Sequence, residues 1–185
     1  CYRFRSVLNS LPNLDWLVTI NDTLYSYVTK DSFKTLYFEK RMHEKNYDTL
    51  IKVRYDWENG LIRYQDGSTY PLESGTLDIV SIYYFFRLNP LKLGEERTVI
   101  LHADRKTDKA QVKAVSEVQV RSSASKDGSF VCTKLVPEVS GKGNFGSGGT
   151  LIFYLTKDEN LMPALIKTVM TVGSITARLK WTWRE

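Results

Sequence analysis

Polar and apolar residues alternate along most of this chain, and the alternation predicts strands. Over residues 47–57, Tyr47, Thr49, Ile51, Val53, Tyr55 and Trp57 fall on one face while Asp48, Lys52, Arg54 and Asp56 fall on the other. Over 110–121, Val112, Ala114, Ser116, Val118 and Val120 oppose Gln111, Lys113, Glu117, Gln119 and Arg121, with Val115 an apolar exception. Over 175–184, Ile175, Ala177, Leu179, Trp181 and Trp183 oppose Thr176, Arg178, Lys180, Thr182 and Arg184. A period of two suits a strand with one wet face and pins its register, because a slip by one residue would put every apolar side chain in water. Shorter runs at 2–8, 16–20, 24–29, 32–40, 61–64, 97–103, 130–136, 150–156 and 164–171 read as further strands. Turn formers separate them. Asn21-Asp22 predicts a two-residue hairpin turn, Asn59-Gly60 a type I′ turn, and Asp66-Gly67 and the charged runs at 104–108 and 157–160 further reversals.

One stretch breaks the alternation. Between Leu77 and Leu88, within the segment GTLDIVSIYYFFRLNPLKLG at 75–94, only Asp78, Ser81 and Arg87 are polar. This predicts a buried helix over 76–88, with Thr76 as N-cap, Asp78 in the first turn, and Pro90 and Gly94 closing the segment. Asp78 and Ser81 would share a face of that helix, while Arg87 points nearly the other way. They are therefore read as a capping acid, a small packing residue and a terminal cation rather than as one site. Tyr83, Tyr84, Phe85 and Phe86 either fill the core or line an apolar cavity.

Composition adds few constraints. A chain of 185 residues fits a single domain over 1–185, and its 12% aromatic content favours pleated surfaces. The formal net charge of +5 prompts a search for a basic cluster, but the densest run, at 39–45, includes Glu39 and Glu44. Along the chain the charge is dispersed, and no nucleic-acid partner is expected. Cys1 and Cys132 are too few for a disulfide framework and are read as unbonded thiols. No apolar run approaches the roughly 18 residues of a membrane-spanning helix, and no signal peptide is recognisable. Cys1 could be a lipid-bearing N-terminus, but residues 2–8 already read as strand, without a polar tether, so Cys1 is taken simply as the first residue.

Catalytic patterns are missing. His43 and His102 lie far apart and have no Cys, Asp or Glu companions at metal-ligand spacing. His102, in a predicted strand, is expected to be half-exposed. Gly146-Ser147-Gly148 falls one residue short of a nucleophile elbow. The Gly-rich run at 140–149 leads into a strand, so it reads as a hairpin rather than a phosphate loop. The carboxylate pairs Asp56 with Glu58 and Asp158 with Glu159 flank turns, where solvation accounts for them. No cofactor, metal or catalytic residue is expected.

The segment Gly75, Asp78, Ser81, the paired aromatics Tyr83 to Phe86, Arg87, Pro90-Leu91 and Gly94 resembles the signature of a family of bacterial exported proteins, domain of unknown function 3108. Residues 37–40, the stretch from Gly143-Asn144-Phe145 through 151–158 to Pro163, and the closing run at 173–179 are similar to it as well. Ile79 departs from the pattern, which often has Pro after the Asp, and the family's opening strands would precede Tyr2. The resemblance implies export to the periplasm and a curved antiparallel sheet with a helix against it. It implies no reaction.

The expected fold is therefore mainly β: a curved antiparallel sheet or partial barrel, a β-meander, with one central helix packed on its concave face. The expected role is non-enzymatic, a periplasmic envelope module that binds or assembles with another envelope protein. The alternative is a carrier of a lipid or other apolar ligand between sheet and helix, similar to periplasmic lipoprotein carriers. Tyr83, Tyr84, Phe85, Phe86, Phe153, Trp181 and Trp183 are its candidate ligand-lining residues, and Gly75, Asp78, Ser81 and Arg87 the structural signature.

Overall fold

In a computed structural model of the chain, the residues described are 1–9, 21–44, 47–139, 150–169 and 174–179. The predicted strand at 16–20, the Gly-rich run at 140–149, and Trp181 and Trp183 lie outside them. The chain runs β1 (Tyr2–Asn9), β2 (Asn21–Val28), β3 (Thr35–Glu44), β4 (Tyr47–Asp56), β5 (Leu61–Tyr64), β6 (Thr69–Pro71), β7 (Thr76–Leu77), α1 (Ser81–Leu88), β8 (Glu96–Ala103), β9 (Lys106–Arg121), β10 (Ser129–Val139), β11 (Thr150–Thr156), β12 (Pro163–Val169) and β13 (Ser174–Arg178). It is mainly β and antiparallel with one short helix, as the alternation predicts. Two compact units divide it, Cys1–Ile82 and Tyr83–Glu185.

In the first unit β1 to β6 form an antiparallel sheet in chain order. Register aligns Phe4, Ser26, Phe38, Val53 and Tyr64 in one row across five strands. Around this row Leu24, Val28, Phe38, Val53, Tyr55, Ile62 and Tyr64 are all buried, so the alternation read from β4 extends over the sheet. The next row, on the opposite face, runs Arg3, Tyr27, Tyr37, Arg54, Arg63, Thr69. Among the described residues β1 and β6 are the edges, and β6 is only three residues long.

Two turn expectations give way. Asn21-Asp22 is no turn: both residues lie in β2, paired with Asn9 and Leu8. The Asp22 carboxylate accepts the His43 backbone N–H at 3.2 Å, so it satisfies a neighbouring strand rather than its own reversal. The Asp56–Leu61 pair leaves four residues in the next loop, of which only Gly60 is left-handed (φ 65°). Asp56 accepts from the backbone N–H and the amide of Asn59, which favours this longer loop over a type I′ turn. The two-residue turn with both φ positive occurs instead at Asp104 (47°) and Arg105 (65°), so β9 begins at Lys106 rather than at residue 110.

In the second unit β8 to β13 form an antiparallel meander in chain order. The β9–β10 register passes from Ser116 opposite Lys134 to Ala114 opposite Leu135 and skips Val115. Val115 is thus the extra residue of a bulge, turned out at 46% exposure, which explains the apolar exception on the polar face. Val120, Cys132 and Ala164 form a core cluster with Phe130, Tyr154 and Leu165 packed on it. Cys132 serves there as a small apolar side chain, its thiol pushed up to about 11 by burial, and both cysteines are free.

The helix is shorter than predicted. Thr76 and Leu77 are strand β7, and the Thr76 hydroxyl donates to the Glu73 carbonyl at 2.7 Å, so Thr76 shapes the preceding turn and caps nothing. α1 begins at Ser81, with Asp78 as its cap.

Candidate functional site

Asp78 is completely buried, and its hydrogen bonds define the start of α1. Oδ1 accepts the backbone N–H groups of Val80 (2.8 Å) and Ser81 (2.9 Å), while the Ser81 hydroxyl oxygen accepts the Asp78 N–H (2.9 Å). This reciprocal pair is a capping box with Ser in place of the usual Glu or Gln. Oδ2 accepts the hydroxyl of Ser26, on β2, at 2.6 Å. The Thr35 and Ser81 hydroxyls lie 3.5 Å apart, and Ser26, Thr35 and Ser81 are all fully buried. Burial raises the Asp78 pKa, and the hydrogen bonds from Ser26, Ser81 and Val80 oppose that rise without cancelling it. Buried Tyr55 is raised well above its usual value by burial and, second, by the Asp78 charge.

A carboxylate beside two serines invites a hydrolytic reading, but Oδ1 is taken up by the helix start and Oδ2 by the Ser26 hydroxyl. The imidazoles are engaged elsewhere. His43 Nδ1 pairs with Asp48 and His102 Nδ1 with the Thr107 hydroxyl at 2.8 Å. His102 is 3% exposed, against the half-exposure expected, and burial pushes its pKa down to about 4. Ser26 is the partner that the sequence pattern did not single out. Its signal is a hydroxyl on the inward face of a strand, between Leu24 and Val28, where an unpaired polar group is costly.

In the second unit the candidate lining residues pack on each other. Phe86 and Phe153 are fully buried with ring centroids 5.6 Å apart, Tyr83 meets Phe153 edge-on at 5.4 Å, and Phe85 meets Phe86 edge-on at 5.3 Å. Side chains therefore fill the space between α1 and β11 at these rings. Tyr84 is half-buried with the Arg87 guanidinium 5.7 Å from its ring, and Arg87 Nε donates to the Asn160 carbonyl at 3.0 Å. Arg87 is thus tied to the loop before β12. Gly75 takes φ 81°, which a side chain would strain.

Folding also gathers charge that looked dispersed along the chain. The outward face of the β1–β6 sheet carries Arg3, Arg5, Arg41, Lys52, Arg54 and Arg63, all exposed. Its carboxylates are Glu39, Asp48 and Asp56. Glu39 is held by Arg41 (2.5 Å) and by the Tyr37 hydroxyl (2.8 Å), Asp48 by His43, and Asp56 by Arg63 (3.0 Å). Burial alone would raise Glu39, but the hydrogen bonds from Arg41 and Tyr37 outweigh it and keep the carboxyl below its usual range. Each strand supplies one, two or none of these cations, so only the pairing register reveals the face.

Among the described residues no group of three His, Cys, Asp or Glu side chains is placed to hold a metal ion, and no helix is long and apolar enough to cross a membrane. A family model described as "Protein of unknown function (DUF3108)" matches residues 1–180. No curated protein and no solved structure matches the chain.

Proposed function

The chain belongs to the family of proteins of unknown function DUF3108, and we propose that it is a non-enzymatic protein-binding or assembly module of the bacterial envelope, acting in the periplasm. The observation that carries this reading is the edge strand β1. It pairs with β2 over all eight residues and has no partner on its other side among the described residues, so its outer backbone groups offer a template for an added strand. The likeness to exported bacterial proteins supports the compartment. A carrier of an apolar ligand takes second place, because the Phe86 and Phe153 rings occupy the space such a ligand would need.

The test is in-cell photo-crosslinking from Tyr2 and Ser6 on β1, with exposed Val115 and Val131 as controls. A discrete protein adduct from β1 alone is expected. Neighbouring residues of an edge strand direct their N–H groups alternately inward and outward. Of Arg3→Pro and Phe4→Pro, the one that leaves the circular dichroism unchanged should therefore abolish the adduct. Equal adducts from the controls, or an adduct that survives that proline, would overturn the reading.

A further inference from the structure

We propose that the outward face of the β1–β6 sheet is a peripheral docking surface for an anionic lipid leaflet. Three observations on that face lead to this partner.

The first is charge. Arg3, Arg5, Lys52 and Arg54 form no salt bridge among the described residues, whereas each of the three carboxylates on the face is already held by Arg41, His43 or Arg63. Arg54 and Arg63 also stand directly opposite each other in the β4–β5 register. Asp56 already pairs with Arg63, so among the described residues Arg54 is the cation of the two left without a counter-ion, which a bound anion would supply. Both line a shallow depression with Asp56, Tyr37 and Leu36.

The second is distribution. With strands about 4.8 Å apart, Arg3 and Arg63 are separated by about 19 Å across the sheet, and successive rows along it by about 7 Å. The six cations surround Tyr25, Tyr27 and Tyr37 over an area, where a single polyanionic chain would be matched by a line. An array in two dimensions fits a surface of head groups.

The third is the apolar content. Val7 and Leu50 lie on this same face at 45% and 38% exposure, in the row that also carries Arg41. The half-buried tyrosines add amphipathic rings of the type enriched at the boundary of a bilayer. Aliphatic side chains gain from contact with acyl chains and gain nothing from a soluble polyanion. Basic residues near an anionic leaflet each strengthen binding by about fivefold, with the effect fading over a Debye length.

This inference does not rest on the β1 edge, and vesicle binding stands whether or not a protein is captured there. The test is flotation of the full chain with vesicles of phosphatidylcholine alone or with about one-third phosphatidylglycerol, at about 50 mM and about 300 mM salt. Binding only to the anionic vesicles, weakening at high salt, is expected. Arg3→Glu with Arg54→Glu should lower partitioning at least about tenfold, while Lys92→Glu with Lys126→Glu, two exposed cations of the other unit, should leave it nearly unchanged. Val7→Ser with Leu50→Ser should weaken binding at both salt concentrations. Absence of binding to anionic vesicles, or equal loss in both charge-reversal pairs, overturns the proposal. So does full competition by soluble polyphosphate with no effect of the Val7 and Leu50 changes, which would identify a polyanion site instead.

Discussion

Replacing Asp78 with Ala and with Asn separates its two contributions to the fold. In the native protein the carboxylate accepts from Val80 N–H, Ser81 N–H and the Ser26 hydroxyl, all in a fully buried setting. Alanine removes the helix cap, which costs about 1 kcal/mol, and leaves buried donors without an acceptor at about 1–3 kcal/mol more. The cap and the orphaned donors overlap, and relief of the buried charge offsets part of the cost, so a net loss of about 2 kcal/mol is expected, a sizeable share of a typical stability of roughly 5–15 kcal/mol. Asparagine keeps an oxygen for both amides, and the Ser26 hydroxyl can rotate to accept from the new NH2, so the expected cost is within about 1 kcal/mol. The pH dependence sets the sign. The native pKa of Asp78 lies above the ordinary carboxyl value. The folded protein therefore holds this proton at pH values where the unfolded chain has released it, and stability falls as pH rises through that window. Asp78→Asn should flatten that fall. Urea unfolding followed by circular dichroism across pH measures all three quantities. An alanine variant within about 1 kcal/mol of the parent, or an asparagine variant as damaged as the alanine one, would refute the capping argument.

His102 should act with the opposite sign. Its pKa is pushed down to about 4 by burial, so the unfolded chain binds a proton that the folded one refuses, and the stability it contributes above pH 6.5 is lost as pH falls toward 4. The loss is at most about 3 kcal/mol. His102→Gln should remove this part of the acid sensitivity in the same urea series, and an unchanged acid limb would count against it. Phe86→Ala and Phe153→Ala should each cost about 3–5 kcal/mol. Because the rings touch, the double variant should cost less than the sum, and strict additivity would contradict the packing.

The strands were legible because their period of two survives folding: Val53 and Tyr55 of β4 and Val112, Ala114 and Val120 of β9, all read as inward from the pattern, are buried. Local signals failed where a distant partner captured the side chain that carried them. Asp22 looked like a turn former, yet its carboxylate serves His43 of β3. Thr76 and Asp78 were both eligible caps, and the choice between them fell to Ser26, 52 residues away, which fixes the Asp78 carboxylate. The basic face was invisible for a related reason. Arg3 and Arg54 are far apart in the chain, and only register places them in one row.

The two edges of the first sheet differ in kind. β1 offers eight residues of extended backbone, while β6 has three and ends in Pro71, which has no N–H to donate. A strand that joins β1 therefore finds no matching acceptor edge to continue from on the far side. Under the proposed reading, a strand added at β1 would end the sheet there, as a capped pair or a β1-to-β1 dimer, because among the described residues the opposite edge is the short, Pro71-terminated β6.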